Sequence, residues 1–262
     1  MDKKDVVAGL GEIGTPILQT ISKGIPAVGY DLNPKLMNEK RYKKFEKLQT
    51  CLLHICIPFT ANFINNVISL SRKFNPEGIV IHSTISPGTT VKIQSRVSVP
   101  VIYSATRGVH RRMLYDLRRY TKFFAIESNA PHKDWAVSTY ATRMRKGGVK
   151  TKQMSSPITL ELAKIVVDTS YYGWLINYAQ LSNMIAIKNN VDYDEMWSFS
   201  DEIDKFLGNR PKMFPGFIGG HCVIPNLDLI HHQTLDLINK INNTYAKKVK
   251  NSKSIVKKYK SR

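Results

Sequence analysis

The sequence predicts an α/β fold: a doubly wound, mostly parallel sheet of Rossmann type, followed by a helical domain built on one long helix. Three observations carry that expectation. Short apolar runs alternate with helix-patterned stretches through residue 154. A glycine fingerprint joins the first apolar run to the first helix. From residue 158 the apolar period settles near 3.6 residues, with Gly173 as the one breaker before residue 189.

Asp5-Val-Val-Ala-Gly9 reads as a short buried strand, and Gly9-Leu-Gly11-Glu12-Ile13-Gly14 follows at once. Thr15 to Ser22 is apolar at helical spacing, Lys23-Gly24 ends that helix, and Pro26 to Tyr30 is a second strand closing on Asp31. A lone G-x-G-x-x-G is weak evidence. Here it follows a strand, opens a helix, and has an acid 20 residues after its second glycine, which is a full βαβ context. Gly9 permits the tight turn, Gly11 lets the backbone approach a pyrophosphate, and Gly14 lets helix and strand pack closely. The helix N-terminus then turns its N–H groups and dipole to the phosphates. Asp31 accepts hydrogen bonds from ribose hydroxyls and repels a 2′-phosphate, so NAD is expected over NADP.

The alternation continues with strands at Cys51 to Pro58, Gly78 to His82, Val99 to Tyr103 and Lys122 to Glu127, and a last short one at Val149 to Met154. Helix patterns fill Ala61 to Lys73 and Pro131 to Lys146, and the polar turn Ser83-Thr-Ile-Ser-Pro-Gly-Thr-Thr90 runs into another. Pro58, Thr60, Ser83 and Thr84, in the turns after the third and fourth strands, complete the cofactor-binding set with Gly9, Gly11, Glu12, Ile13, Gly14 and Asp31. Residues 1–154 are thus read as the NAD-binding domain, 155–246 as a central helical domain and 247–262 as a basic tail.

Ser155-Ser156-Pro157 starts the long helix with a cap residue and a first-turn proline. Its apolar residues, among them Leu160, Ile165, Val166, Trp174, Leu175, Tyr178, Leu181 and Ile185, exceed what one sheet face can bury. The helix should pack on further helices or a second subunit, and a homodimer through it is expected. Asp192 to Leu207 is a further helix, residues 211–222 a loop, and a final helix follows from about Asn226.

With 262 residues, 42% hydrophobic and 23% charged, the chain lies outside the disordered and fibrous classes and is long enough for a sizeable core. Cys51, Cys56 and Cys222 are too few and too scattered for a disulfide framework or a four-ligand zinc site, and no metal is expected. No signal-peptide pattern opens the chain and no apolar stretch approaches about 18 residues, so a cytoplasmic protein without a membrane span is expected. The net charge of +19 attracts polyanions and phosphorylated substrates. Eight of the basic side chains fall in residues 247–262, which read as a solvated helix end. Another basic run holds Arg107, Arg111, Arg112, Arg118, Arg119 and Lys122. Without stacking motifs or a binding module, nucleic acid is disfavoured as a partner.

Several separated motifs coincide with one family. The Gly9-to-Asp31 fingerprint, Ser83 to Thr90, Glu161-Leu-Ala-Lys164 and Pro215-Gly-Phe-Ile-Gly-Gly-His-Cys222 resemble the NAD-binding and central domains of the UDP-glucose/GDP-mannose dehydrogenases, over about residues 5–235. The resemblance implies an alcohol oxidised twice to a carboxylate through a cysteine adduct. Cys222 would be the nucleophile, Lys164 would stabilise the oxyanions, and Thr84 would help place a water. A thiolate near a cation is a strong nucleophile, and a fixed ammonium lowers the barrier where negative charge develops. The dimer is also implied.

The departures from the family pattern are equally specific. Two positions that carry glutamate in the family correspond to Thr106 and His110; the first glutamate is the expected general base for thioester hydrolysis and a threonine cannot do that work, whereas His110, one helical turn further on, can be a base. The expected asparagine after the lysine is Asp168, which would pair with Lys164. The expected aspartate after the cysteine is Asn226. Family members continue into a third domain that grips the nucleotide of the substrate, and this chain ends within about 40 residues of the cysteine loop, so that half of the pocket is expected to be absent or supplied by another chain. The leading expectation is an NAD-dependent oxidoreductase acting on an anionic or nucleotide-sugar small molecule. The alternatives are a single-step β-hydroxyacid-type dehydrogenase and a degenerate NAD-binding subunit.

Overall fold

A computed structural model describes residues 3–220 and 222–250. The chain folds as two compact units divided between Lys164 and Ile165. In the first, strand β1 (Lys4–Ala8) leads through helix α1 (Gly14–Ile21) to β2 (Ala27–Tyr30). Helix α2 (Glu39–Phe45), β3 (Thr50–Ile55), α3 (Phe63–Phe74), β4 (Gly78–Ile81) and α4 (Thr89–Gln94) follow. Then come β5 (Val101–Tyr103), α5 (Met113–Arg119), β6 (Lys122–Ile126), α6 (Lys133–Lys146), β7 (Thr151–Gln153) and α7 (Pro157–Leu162).

The strands form one seven-stranded sheet in the order β2-β1-β3-β4-β5-β6-β7, parallel except for the β5–β6 pair. Every residue of β1, β3, β4 and β5 is buried, as strands covered on both faces require. On one face Ile17 and Ile21 of α1, Met113 and Leu117 of α5, and Tyr140 and Met144 of α6 pack on Val7, Leu52, Val80 and Ile102. On the other, Phe63 and Val67 of α3, Ile93 of α4 and Leu160 of α7 cover Val6, Leu53, Ile79 and Tyr103. The chain leaves β1 for β2 on one side and returns to β3 on the other. The order therefore reverses between β1 and β3, where ligands of such sheets bind outside the carboxyl ends of the strands.

At the edges one expectation is corrected and one helix is added. The strand expected over Val149 to Met154 shortens to Thr151–Gln153, because Gly147 and Gly148 end α6 in a turn with Gly148 at φ +81°. Helix α2 was not foreseen; it buries no residue and is started by Asn38, whose side chain accepts from Arg41 N.

In the second unit the helix expected to run unbroken from residue 158 is interrupted. Ala163–Ser170 is π-helical, spanning the end of the first unit and the start of the second, and α8 (Tyr171–Lys188) follows. Ser170 Oγ donates to Val166 O at 2.6 Å, engaging a carbonyl four residues back in the widened segment. Helices α9 (Tyr193–Leu207), α10 (Ile224–Leu227) and α11 (Gln233–Lys250) complete the unit. The final helix expected from Asn226 is thus split: α10 is a single turn, and His231 at φ +53° separates it from α11.

Within one chain the long helix buries small and polar residues, and several of the apolar residues expected to pack on further helices or a second subunit lie outward. The buried positions of α8 are Gly173, Asn177, Ala179, Gln180, Asn183 and Ala186. Tyr178 is 61% and Ile185 50% exposed, and Val166 and Leu181 are exposed too. The buried polar residues meet α11: Asn177 Nδ2 donates to Ile238 O, Gln180 Nε2 to Asn242 Oδ1 at 2.9 Å, and Asn183 Nδ2 to Tyr245 OH at 2.9 Å. Gly173 is explained by packing, since a Cβ there would lie 3.1 Å from Val223 and 3.2 Å from Ile238.

Candidate active site

The glycine turn follows the C-terminal end of β1. Gly9 (φ +89°) donates its N–H to Tyr30 O, and a Cβ there would stand 2.7 Å from Cys56 O. A Cβ on Gly14 would fall 1.6 Å from Gly9 O. Both glycines are required by the protein's own packing. Gly11 differs: it is exposed, and a Cβ on it would meet nothing within 4 Å. That open approach to the backbone fits a phosphate group, and the adjoining N-terminus of α1 at Ile13 carries no side-chain cap. Asp31 holds the second strand to this turn, its Oδ2 accepting from Leu10 N at 2.7 Å and its Oδ1 from Asn33 N at 2.8 Å.

The other predicted cofactor contacts line the same edge of the sheet. Pro58 and Thr60 are exposed beyond β3, and Ser83 and Thr84 are half-buried beyond β4. Ser83 Oγ donates to Ile57 O at 2.6 Å, tying these two turns together. Glu161, buried in α7, accepts from Gly88 N at 2.6 Å and from Thr90 N and Thr90 Oγ1 at 3.0 and 2.6 Å, so the start of α4 is closed by a carboxylate of the segment that carries Lys164.

His110 is not one helical turn from Thr106. Residues 104–109 run as a loop after β5, because Gly108 takes φ +141° and Val109 N is captured by Asp116 Oδ2 at 2.8 Å. His110 instead opens a short 3₁₀ turn and places Nδ1 2.8 Å from Glu12 Oε2, on the glycine turn. Beside it Pro16, Gln19, His110, Arg111, Arg112 and Arg118 help line a cleft of about 480 Å³ between α1 and α5.

Thr106 is nearly buried, and its hydroxyl lies 3.0 Å from the Nζ of Lys122, which opens β6 as expected but which the sequence marks only as a strand start within a basic run. Lys122 Nζ also donates to Ser104 O at 2.9 Å and Ala105 O at 3.3 Å. Burial above all, then the nearby Lys164 and Arg107, lower its proton affinity to a pKa of about 7. A buried polar row crosses the adjacent strands towards it: Asp5 Oδ2 lies 3.3 Å from His54 Nε2, and His54 Nδ1 2.9 Å from His82 Nε2. Burial first, then Lys122 and His54, hold His82 well below the usual histidine range.

Lys164 and Asp168 both fall on the π-helical segment and are half-buried. Cys222 is exposed in the loop before α10, and Asn226 is half-buried within α10. That loop is held by side chains of the helices: Gln180 Nε2 donates to Gly216 O at 2.7 Å, and the Asn242 amide pairs with Ile218 N and O at 2.8 and 3.0 Å. His221 and the tail from residue 251 lie outside the described residues. Among the described residues no group of three or more His, Cys, Asp or Glu is placed to hold a metal, and no helix is long and apolar enough to cross a membrane.

No protein-family model matches the chain. A curated relative, UDP-N-acetyl-D-glucosamine 6-dehydrogenase of Salmonella typhi, is 25% identical over 269 aligned positions, which cover 84% of this chain. The chain spans 60% of that relative's length. Among solved structures, UDP-D-ManNAc dehydrogenase from Pyrococcus horikoshii superposes with a TM-score of 0.74 at 19% identity, over 92% of this chain and 68% of that one. The 3-hydroxyisobutyrate dehydrogenase of Mycobacterium tuberculosis does so with a TM-score of 0.66 at 13% identity, over 94% of each.

Proposed function

We propose, from the premise that the chain is a divergent member of the nucleotide-sugar dehydrogenase family matched over its N-terminal part, that it is an NAD-dependent oxidoreductase. Its substrate is an alcohol on an anionic or nucleotide-sugar molecule. The observation that carries this reading is Gly11, whose missing Cβ leaves open space that no protein atom uses. Gly11 and the first turn of α1 would hold the pyrophosphate, Asp31 the ribose hydroxyls, and the turns at Pro58, Thr60, Ser83 and Thr84 the remainder. Bound there, NAD supplies a hydride acceptor. The basic cleft at His110, Arg111, Arg112 and Arg118 supports an anionic substrate.

The test is a calorimetric titration of the whole chain with NAD, with Gly11→Ala and Asp31→Ala beside it. We expect binding by the wild type and a loss of at least about tenfold in each variant. Equal affinity in Gly11→Ala would sink the dinucleotide reading, as would no binding by the wild type. In the finer reading Cys222 is the nucleophile of a two-step oxidation, with Lys164 offsetting oxyanion charge and Asp168 and Asn226 as altered neighbours in the motif. Threonine at 106 favours a second reading, a single oxidation without a covalent step. Cys222→Ser keeps full NADH formation in the second reading and loses most of it in the first.

The exposed apolar side of α8 supports the dimer. Tyr178, Leu181 and Ile185 lie outward while the helix spends its polar residues on α11. Sedimentation velocity is expected to give a dimer that Tyr178→Glu converts to monomer. A wild-type monomer at tens of micromolar would remove this part.

A further inference from the structure

We infer that Thr106 and Lys122 form a proton-accepting pair that takes the hydroxyl proton of the alcohol at Thr106, which follows β5 and donates its N–H to His82 O at 3.2 Å, next to Ser83 and Thr84; the inference rests on the oxidoreductase reading above. The argument is a count of donors. Lys122 Nζ has three neighbours in hydrogen-bond reach: Ser104 O at 2.9 Å, Ala105 O at 3.3 Å and Thr106 Oγ1 at 3.0 Å. An ammonium uses its three N–H groups on them, and the Thr106 hydroxyl hydrogen then points away from the nitrogen. A neutral amine has two N–H groups for the two carbonyls and one lone pair, into which Thr106 donates. The free side of Thr106 Oγ1 is then an acceptor. The two protonation states of Lys122 therefore fix opposite orientations of one hydroxyl: acceptor for an alcohol O–H in one state, donor to a carbonyl oxygen in the other.

The surroundings keep both states within reach. Lys122 is 5% and Thr106 7% exposed. The groups that act on the charge of Lys122 are Arg107 after β5, Lys164 after α7, His82 after β4 and Cys56 after β3, while Asp116 of α5, which lines a small cavity with Lys122, is engaged by Val109 N and Arg112 Nε. None supplies a counter-ion at neutral pH, because burial pushes the Cys56 thiol up to about 12. Among the described residues Lys122 has no carboxylate partner. A desolvated ammonium beside two cations holds its proton weakly, in line with a pKa of about 7.

In the forward step the carbon-bound hydrogen leaves with its electron pair to the nicotinamide ring of the oxidised dinucleotide. The O–H bonding pair becomes the second bond of the carbonyl. The hydroxyl proton passes to Thr106 Oγ1, and the proton already on Thr106 passes to Lys122 Nζ. The ammonium releases it to solvent before the next turnover. Lys122 acts through Thr106 and is a positioning and proton-storing group, without contact to the substrate.

The experiment is a carbon NMR titration of the full chain labelled at lysine Cε. The Lys122 resonance is assigned by its absence in Lys122→Met, or by its displacement in Thr106→Ser if the first variant does not fold. We expect Lys122 to titrate near pH 7 while surface lysines titrate above about 10. Thr106→Glu, which adds a counter-charge, should raise that midpoint by two pH units or more, a hundredfold gain in proton affinity. With a sugar-nucleotide alcohol that supports NADH formation, the acidic limb of kcat/KM should follow the Lys122 midpoint in wild type. A Lys122 midpoint above pH 9 in wild type overturns the pair, as does a limb that Thr106→Ser and Lys122→Met leave unmoved. A chain that binds NAD with Lys122 titrating above pH 9 loses the pair and keeps the oxidoreductase reading. A midpoint near 7 in a chain that binds no NAD keeps the proton pair and removes the oxidation.

Discussion

Gly14→Ala is expected to destabilise the first unit by about 3 kcal/mol or more, lowering Tm by roughly 10 °C. Its added Cβ would sit 1.6 Å from Gly9 O, and both ends of that contact are backbone, so no side chain can swing aside. Strand β1 and helix α1 would have to part. Gly11→Ala, three residues earlier, should change stability by no more than about 0.5 kcal/mol, since its Cβ enters open space. A slight gain is the natural direction, from the stiffer unfolded chain. Thermal melts of the two variants side by side make the comparison. If Gly11→Ala melted as early as Gly14→Ala, the open space at residue 11 would be a structural requirement, and its loss of cofactor would carry no information about a ligand.

Stability should climb with pH from about 5 to 10. His82 refuses a proton in the folded chain that the unfolded chain takes up near pH 6.5, so stability is lost as pH falls below that value. Lys122 gives a second limb of the same sign. Folded, it releases its proton near pH 7; unfolded, it keeps it to about 10.5. Between those values the unfolded chain binds more protons, and stability rises with pH, on the order of 5 kcal/mol at most for a shift of this size. Urea midpoints at pH 5, 7 and 9 measure both limbs. Lys122→Met should flatten the limb above pH 7 and His82→Gln the one below 6.5. A wild-type midpoint that does not move between pH 7 and 9 would contradict the burial of a titrating lysine.

The parts of the molecule that were legible in the sequence are those set by local rules. The order of strand β1, glycine turn, helix α1 and strand β2 is read correctly because each step is set by adjacent residues in the chain. The polar row is different. Asp5, His54, His82 and Lys122 each stand as one polar residue in or beside an apolar strand, and only the order β1-β3-β4-β5-β6 brings them side by side. Lys122 carries one signal, a lysine opening the apolar run Lys122-Phe-Phe-Ala-Ile126, and a strand start within a basic run gives no sign of burial. The π-helical segment escaped for another reason. A π-type widening has no residue pattern of its own, since it occurs as a short stretch inside an otherwise α-helical run. His110 departs from the helical offset expected of it because Gly108 leaves the helical region.

The pairing of α8 with α11 has a consequence for the cysteine loop. A seam of leucines tolerates a slide of one helix along the other, because dispersion contacts re-form at each step. A ladder of amides does not: Asn177, Gln180 and Asn183 meet Ile238, Asn242 and Tyr245 in one alignment, and a shift by a turn would strand all of them at once. Gln180 and Asn242 are also the residues that hold Gly216 and Ile218. The loop leading to Cys222 therefore inherits its position from a single permitted alignment of two helices, and a mutation that lets them slip would misplace the thiol without touching the loop itself.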